Sequence, residues 1–319
     1  MTTSDNTLRR AADTLRAFAL DEDLKARTLA NPALATMAAK IARRYTAGSD
    51  VDAAVALLEA NTSRGHLGSV ELVGESIRDE AVADQQTDEF VDLAHRLGQV
   101  PGRATISFDL SHVGAVVSPE VGLRNGRAIA RAAREAGTSI MISAEGSDRT
   151  DLVLAITEQI ADEFPETGVT LQARLHRTPV DLDRLIQRPG PIRLVKGAFL
   201  ESADVAYARD SEPMTTAYLE AARRLVGSGH RVNLATHDPL LVSSLRDTLG
   251  TDLMAEHVEF EMLQGLGTEL LDSLRHDGYT TREYVVYGPE WWLYVLNRMA
   301  EHPERVLDAL ADLDITGRL

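Results

Sequence analysis

After residue 65 the chain alternates between short apolar runs rich in β-branched residues and longer amphipathic runs. The short runs cover residues 69–73, 105–110, 139–143, 168–172, 192–196, 231–235, 257–261 and 283–287. Strands that alternate with helices in this way predict βαβ units and a parallel sheet. Eight such units within about 250 residues are typical of a (β/α)8 TIM-type barrel. The alternative is an open doubly wound sheet, which usually has fewer strands and a glycine-rich first turn.

The first 65 residues carry apolar side chains at helical spacing, such as Leu8, Ala11, Leu15 and Phe18, and no strand pattern. We therefore predict an N-terminal helical segment at 1–65 and a catalytic barrel at 66–319. The N-terminus lacks the apolar stretch of a secretory signal, and no apolar run is long enough for a transmembrane helix. We expect a cytoplasmic protein.

The chain has 319 residues, no cysteine, and a formal net charge of -16 at pH 7. Without cysteine it cannot form disulfides, thiolate nucleophiles, cysteine-ligated zinc sites or iron–sulfur clusters. Redox chemistry would need a bound organic cofactor, or a metal held by histidine and carboxylates. The negative charge repels phosphate backbones and anionic lipid, so nucleic acid and membrane surfaces are poor candidate partners.

In a barrel of this kind the chemistry lies at the carboxyl ends of the strands. Arg193 and Lys196 lie on the fifth strand, just before Gly197. They suit either an anionic cofactor phosphate or ion pairs with carboxylates on neighbouring strands. Lys196 could also serve as an aldolase-type Schiff-base lysine. His237 ends the sixth strand, but no second histidine lies at ligand spacing, so we predict no metal site.

Two other patterns favour ordinary structural roles. Gly265 and Gly267 follow the seventh strand, but the third glycine of a dinucleotide fingerprint is missing, so we expect a tight turn. Four arginines recur at spacings of three and four residues, which predicts a solvated helix face paired with acids. They are Arg124, Arg127, Arg131 and Arg134.

A helix is predicted just after the eighth strand. Tyr294 and Arg298 are four residues apart and therefore project from the same face of that helix. An aromatic ring beside a guanidinium suits a small substrate with an anionic end. The alternative is a surface ion pair for Arg298 and simple packing for Trp291 and Trp292.

Six segments, taken in order, resemble the motifs of the FAD-dependent proline dehydrogenases. They are LVGES at 72–76, LQA at 171–173, RLVKGAF at 193–199, LATH at 234–237, EFEMLQG at 259–265 and YVLNR at 294–298. The resemblance implies a (β/α)8 barrel that binds FAD noncovalently. It also implies hydride transfer to the flavin from a carbon bonded to nitrogen, with an imine as product.

The resemblance further implies roles for individual residues. Positions that contact the flavin would be Gln172, Arg193, Val195, Lys196, Gly197, Ala198, Thr236, His237 and Glu301, with Arg193 near flavin N5. Positions in the substrate pocket would be Leu263, Tyr284, Tyr294 and Arg298.

The chain departs from the family pattern where a substrate carboxylate would bind. Asp109 replaces an expected lysine, Ser143 replaces an aspartate, and Asn297 replaces the first of two adjacent arginines. Each lost charge-assisted hydrogen bond typically costs about 1.5–3 kcal/mol, so we expect weak binding of proline. Arg174 stands where a tyrosine is common, as does Phe199. If Arg174 shares a strand face with Gln172, it would supply a relocated cation.

These departures indicate a divergent member that oxidises a small amine, imino acid or hydrazine-like substrate. One alternative is an ordinary proline dehydrogenase that forms pyrroline-5-carboxylate, with Arg174 and Arg298 holding the carboxylate. An alternative of another class is a non-catalytic flavin-binding partner subunit. The electron acceptor stays open between a quinone, oxygen and a carrier, and the exact substrate and the oligomeric state stay open too.

Overall fold

The computed structural model describes residues 3–100, 102, 104–311 and 313. The strands are β1 (Leu67–Leu72), β2 (Ala104–Phe108), β3 (Ser139–Ile142), β4 (Gly168–Gln172), β5 (Ile192–Val195), β6 (Val232–Ala235), β7 (Val258–Leu263) and β8 (Thr281–Tyr287). The helices are α1 (Thr3–Ala19), α2 (Glu22–Ala30), α3 (Pro32–Ala42), α4 (Val51–Ser63), α5 (Glu80–Leu97), α6 (Pro119–Glu135), α7 (Thr150–Ala161), α8 (Thr178–Leu185), α9 (Glu212–Gly227), α10 (Pro239–Leu249), α11 (Thr268–His276), α12 (Trp291–Glu301) and α13 (Arg305–Ala311).

The eight strands form one closed barrel in which each strand pairs in parallel with the next and β8 pairs with β1. The predicted (β/α)8 TIM-type barrel is therefore confirmed, and the doubly wound alternative is wrong. β4 has the predicted bounds. The largest differences are of two residues: β1 and β8 begin two residues earlier than predicted, β2 ends two residues earlier, and β7 ends two residues later.

Side chains alternate between the two faces of each strand, as pleated backbone requires. On β5, Ile192 and Leu194 belong to the hydrophobic cluster shared with the outer helices. Arg193, between them, bonds across the barrel to Glu261 of β7. The apolar core thus lies between barrel and helices, and the barrel interior carries polar side chains.

Helix α6 shows how local sequence sets an element's start. Ser118 caps it, its Oγ accepting a hydrogen bond from the Val121 N–H at 3.2 Å, and Pro119 occupies the first helical position as predicted. The arginine stripe of α6 pairs with acids on its neighbours, again as predicted. The pairs are Arg124 with Glu80 and Asp84, Arg127 and Arg131 with Glu163, and Arg134 with Glu166.

Four helices, α1 to α4, occupy most of residues 3–65, as expected. Ala54 and Leu58 of α4 share a hydrophobic cluster with the barrel strands. Helix α1 packs on α12, where the Trp292 indole N–H donates to the carbonyl of Phe18 at 3.0 Å. The division at residue 65 stays a prediction, and residues 1–2, 101, 103, 312 and 314–319 of its two segments lie outside the described residues. Within the described chain, no helix combines the length and apolar character needed to cross a bilayer.

Candidate active site

A cavity of about 590 Å³ opens at the carboxyl ends of the strands. Its volume is in the range of small-molecule and cofactor sites, about 300–1,000 Å³. Most of the site residues predicted from sequence line it: Ser143, Gln172, Arg193, Val195, Lys196, Gly197, Ala198, Thr236, His237, Leu263, Tyr284, Arg298 and Glu301. Asp109, Arg174 and Tyr294 do not line it.

The floor of the cavity is a buried ion pair. Arg193 Nε lies 2.7 Å from Glu261 Oε2, and Arg193 Nη2 lies 2.8 Å from Glu261 Oε1. Burial alone would lower the pKa of Arg193, but Glu261 raises it above its ordinary value; in turn Arg193 holds the pKa of Glu261 below its usual range. Ser69 and Asn233 also donate to Glu261, so its lone pairs are satisfied. Arg193 therefore forms the ion pair that sequence allowed and still presents its guanidinium to the cavity.

A carboxylate missed by the sequence analysis lies beside this floor. Glu71 of β1 accepts a hydrogen bond from the Tyr284 hydroxyl, and the Tyr284 ring lies 4.7 Å from the Arg193 guanidinium carbon. Burial raises the pKa of Glu71, and the Tyr284 hydrogen bond offsets this only in part. The alternation of inward positions 69 and 71 along β1 was the signal that could have identified it.

Asp109 follows β2 directly. The register between β2 and β3 pairs Phe108 with Ile142, which brings Asp109 next to Ser143. Burial raises the pKa of Asp109 well above its ordinary value, and the carboxylates of Glu71 and Glu145 raise it further. The expectation that Asp109 lies on the pocket wall needs correction, because Ser143 forms the wall there and Asp109 lies next to it.

Two features of the cavity wall fit a flavin. Gln172 Oε1 is buried and has no hydrogen-bond partner, while its Nε2 donates to the Glu145 carbonyl at 2.9 Å. A buried acceptor without a partner is rare and calls for a donor on a bound group. Gly197 has a φ of +111°, and a Cβ there would lie 2.9 Å from Gln172 Oε1. Only glycine allows the chain to pass so closely at this point.

Lys196 is held between two acids. Its Nζ lies 2.6 Å from Asp238 Oδ2 and 3.6 Å from Asp210 Oδ1. Ion pairing of this kind disfavours the aldolase alternative, which needs a neutral amine.

His237 acts as a hydrogen-bond acceptor. Its Nε2 accepts from the backbone N–H of Leu263 at 2.9 Å. Burial, with a contribution from Arg298, lowers the pKa of His237 to about 3. Since Nε2 accepts this bond, the neutral ring carries its proton on Nδ1 and has no free lone pair for a metal, and the bond joins the end of β6 to β7.

Helix α12 contributes Arg298 and Glu301, which are paired at 2.9 Å. The Tyr294 ring centroid lies 5.6 Å from the guanidinium carbon of Arg298. Tyr294 therefore packs against Arg298 without lining the cavity itself. The Nε of Arg298 is buried and has no partner. As the alternative reading allowed, Arg298 has an ion pair, yet it keeps one donor for a ligand.

Arg174 does not supply the relocated cation that we expected. β4 ends at Gln172 and the chain turns, so the alternation of strand faces no longer applies two residues later. The guanidinium of Arg174 instead donates to the carbonyls of Phe199 and Tyr207, at 2.7 and 2.9 Å. Three lining residues that the sequence analysis missed, Arg209, Asp210 and Arg305, come from a loop and from α13, where no periodic pattern marks them.

Comparison with known proteins places this site in a family. The family model described as proline dehydrogenase matches residues 54–301. The chain is 32% identical to proline dehydrogenase of Deinococcus radiodurans over 272 residues, which cover 82% of this chain and 86% of that protein. It is 29% identical to proline dehydrogenase 1 of Bacillus subtilis strain 168 over 263 residues, which cover 82% and 87%.

Among solved structures, proline utilization A from Bdellovibrio bacteriovorus, inactivated by N-propargylglycine, superposes with a TM-score of 0.77 at 19% identity. The match covers 97% of this chain but only 38% of that longer one, and it bears on the fold alone. The barrel, the family match and the relatives agree. The chain belongs to the proline dehydrogenase family, whose members are FAD-dependent oxidoreductases that act on CH–NH donors.

Proposed function

We propose that this chain binds FAD at the strand ends and oxidises a C–N or N–N bond of a small amine, imino acid or hydrazine-like compound other than ordinary proline. One observation carries the choice of substrate. The carboxyl of Asp109 stands beside Ser143 and close to Glu71, at the place where the family pattern has a lysine for the substrate carboxylate.

The residues present fit FAD. Gln172 offers a buried acceptor, Gly197 allows close approach, and Lys196 supplies a cation at the wall; Val195, Ala198, Thr236, His237 and Glu301 complete the proposed flavin contacts. When bound, FAD supplies the acceptor for a hydride. Arg193, fixed by Glu261, places a positive charge where the family pattern has the flavin N5, which favours the reduced, anionic state.

The charges near the proposed substrate site favour a cation. An ammonium group would favour the ionised forms of Asp109 and Glu71, whose pKa values burial raises, whereas a substrate carboxylate would add a further negative charge beside them. The raised pKa of Asp109 suits a carboxyl group that holds a proton close to the site, one layer behind the wall that Ser143 forms. Leu263, Tyr284 and Arg298 then shape the remaining wall, with Tyr294 fixing Arg298.

The test is anaerobic flavin reduction by the purified protein loaded with FAD. We expect pyrrolidine, simple amines or hydrazines to bleach the flavin at concentrations at least about tenfold below those needed for L-proline, a difference of about 1.4 kcal/mol. Asp109→Asn should reduce this gap, the ratio between the concentrations of L-proline and of amine that are needed to bleach the flavin. The matched control is Glu75→Gln, an exposed acid in the loop after β1, which should leave the gap unchanged. Preferential bleaching by L-proline would refute the proposal.

One observation favours ordinary proline dehydrogenase as a second candidate. Arg298 lines the cavity, and its buried Nε has no hydrogen-bond partner, so this guanidinium could bind a carboxylate. In that case L-proline bleaches the flavin, and Arg298→Ala raises the KM for L-proline.

A protein that binds FAD but is reduced by none of these compounds would instead be a flavin-binding partner subunit. The electron acceptor (quinone, oxygen or a carrier) follows from which one reoxidises the flavin, and the cytoplasmic location stays a prediction.

A further inference from the structure

The loop between β5 and α9, residues 197–211, forms one side of the cavity, and we call it the strap. Phe199, Arg209 and Asp210 of the strap line the cavity. Its outer surface carries Leu200, which is 87% exposed. Because so little of the strap is packed, its position depends on a few polar contacts.

Arg174 provides the main fastening. Although it is only 7% exposed, its guanidinium donates to carbonyls on both limbs of the strap, Phe199 at 2.7 Å and Tyr207 at 2.9 Å. The backbone adds to this attachment, since the Tyr207 N–H donates to the Arg174 carbonyl at 2.9 Å. The aliphatic part of the side chain lies against Gly197, the first strap residue.

This use of a buried cation is unusual. Within the described chain no carboxylate lies at ion-pair distance from Arg174, whose hydrogen bonds go to two carbonyls, while Glu201 and Asp210 act on its charge only from further away. Burial lowers its pKa, and Arg209 lowers it further. A side chain that pays for desolvation without an ion pair must contribute through the geometry it imposes.

The strap is also joined to the helix that carries Arg298. Arg209 Nη2 of the strap lies 3.4 Å from Glu301 Oε2 of α12. The other oxygen of the same carboxylate, Oε1, lies 2.9 Å from Arg298 Nη2. At the other limb, the Glu201 carboxylate accepts from the N–H and the hydroxyl of Ser147. A chain of polar contacts therefore runs from the strap to Arg298.

We propose that Arg174 is a positioning residue. It holds the strap at Phe199 and Tyr207, and through Arg209 and Glu301 it sets where the guanidinium of Arg298 stands in the cavity. The effect on substrate rests on the proposed function, whereas the effect on the strap does not.

The first test is limited proteolysis of FAD-loaded protein with chymotrypsin, which cuts after aromatic and large apolar side chains such as those at 199, 200 and 207. Arg174→Met keeps the aliphatic stem but loses both donors, so we expect cleavage within the strap at least about tenfold faster. Arg174→Lys, which keeps the charge, should fall between Met and wild type. The matched control is Arg188→Met, which removes an arginine that likewise donates to a backbone carbonyl, that of Glu158, on the outer helices.

The second test separates positioning from general destabilisation. For the substrate found in the reduction screen, Arg174→Met should raise KM about tenfold, with a smaller effect on kcat, and Arg174→Lys should recover part of it. Combined with Arg209→Gln, the two effects should be less than additive, because both act through one strap.

Strap cleavage in Arg174→Met at the wild-type rate would overturn the proposal, and so would additive effects of the two substitutions on KM. If Arg174→Met does not fold, Arg174→Lys decides, because cleavage at the wild-type rate in that variant contradicts the proposal. If no amine reduces the flavin, the proposed function fails while the proteolysis result stands on its own.

Discussion

Arg193 and Glu261 face each other across the barrel interior and are joined at two points, with separations of 2.7 and 2.8 Å. Both side chains are almost fully buried, so water solvates neither charge. Removing one partner leaves the other charge uncompensated, which is far more costly than losing an exposed pair.

Glu261→Gln should therefore lower the free energy of unfolding by about 3–5 kcal/mol. Urea denaturation measures this, with Glu220→Gln as control, since Glu220 and Arg223 form an exposed pair that contributes little to stability. Because the pKa of Glu261 is lowered on folding, its contribution is present above the unfolded value, 4.5, and is lost as pH falls through the folded value. Equal effects of the two substitutions would contradict the prediction.

Asp109→Asn should stabilise the protein near neutral pH. The pKa of Asp109 is raised well above 3.8 in the folded state, so its favourable contribution is full below that value and declines as pH rises through the folded pKa. Each unit of pKa difference corresponds to about 1.4 kcal/mol. The urea midpoint of the variant minus that of wild type should be larger at pH 8 than at pH 4. The same midpoint difference at both pH values would rule out a raised pKa for Asp109.

The triple variant Asp109→Lys, Ser143→Asp and Asn297→Arg should gain activity on proline. It adds two cations and an acid where the family pattern has them, and each charge-assisted hydrogen bond is worth about 1.5–3 kcal/mol. We expect the L-proline concentration for half-maximal anaerobic bleaching to fall by at least about tenfold. Ser143→Asp alone, which adds a negative charge without a cation, should make proline binding worse.

Gly197→Ala should destabilise the protein and weaken FAD binding. The new Cβ would meet Arg174 Cδ at 2.8 Å, at a φ of +111° that other residues rarely adopt, and we expect a cost of about 1–3 kcal/mol. Gly227→Ala at the end of α9 is the control, because nothing lies within 4 Å of that position. Thermal unfolding and quenching of FAD fluorescence measure the two effects. Similar losses in both variants would count against the close-approach explanation.

The barrel was predictable because each strand is a short apolar run between amphipathic helices, and this alternation can be seen directly in the sequence. The strand ends were less certain by one or two residues. At β7 the extra residues Met262 and Leu263 pair with β8, a non-local contact that no local pattern encodes.

The placement of a site residue could be predicted where the residue lies on a regular strand. The prediction was wrong where the chain leaves the strand. Arg193 and Tyr284 keep the strand alternation and face the cavity. Arg174 follows the end of β4, where a turn redirects the side chain toward the strap. The strap residues Arg209 and Asp210 are placed by contacts between distant segments, so the sequence alone carries no periodic signal for them.

The ion pair beneath the cavity has a consequence for how specificity can change. Since Arg193 and Glu261 are bonded to each other and fixed by neighbours on other strands, the base of the cavity presents a nearly constant environment. Residues that follow the strands, such as Asp109 and Ser143, can then be exchanged without disturbing that base. A single barrel can in this way keep one redox chemistry while successive exchanges at its rim select molecules of opposite charge.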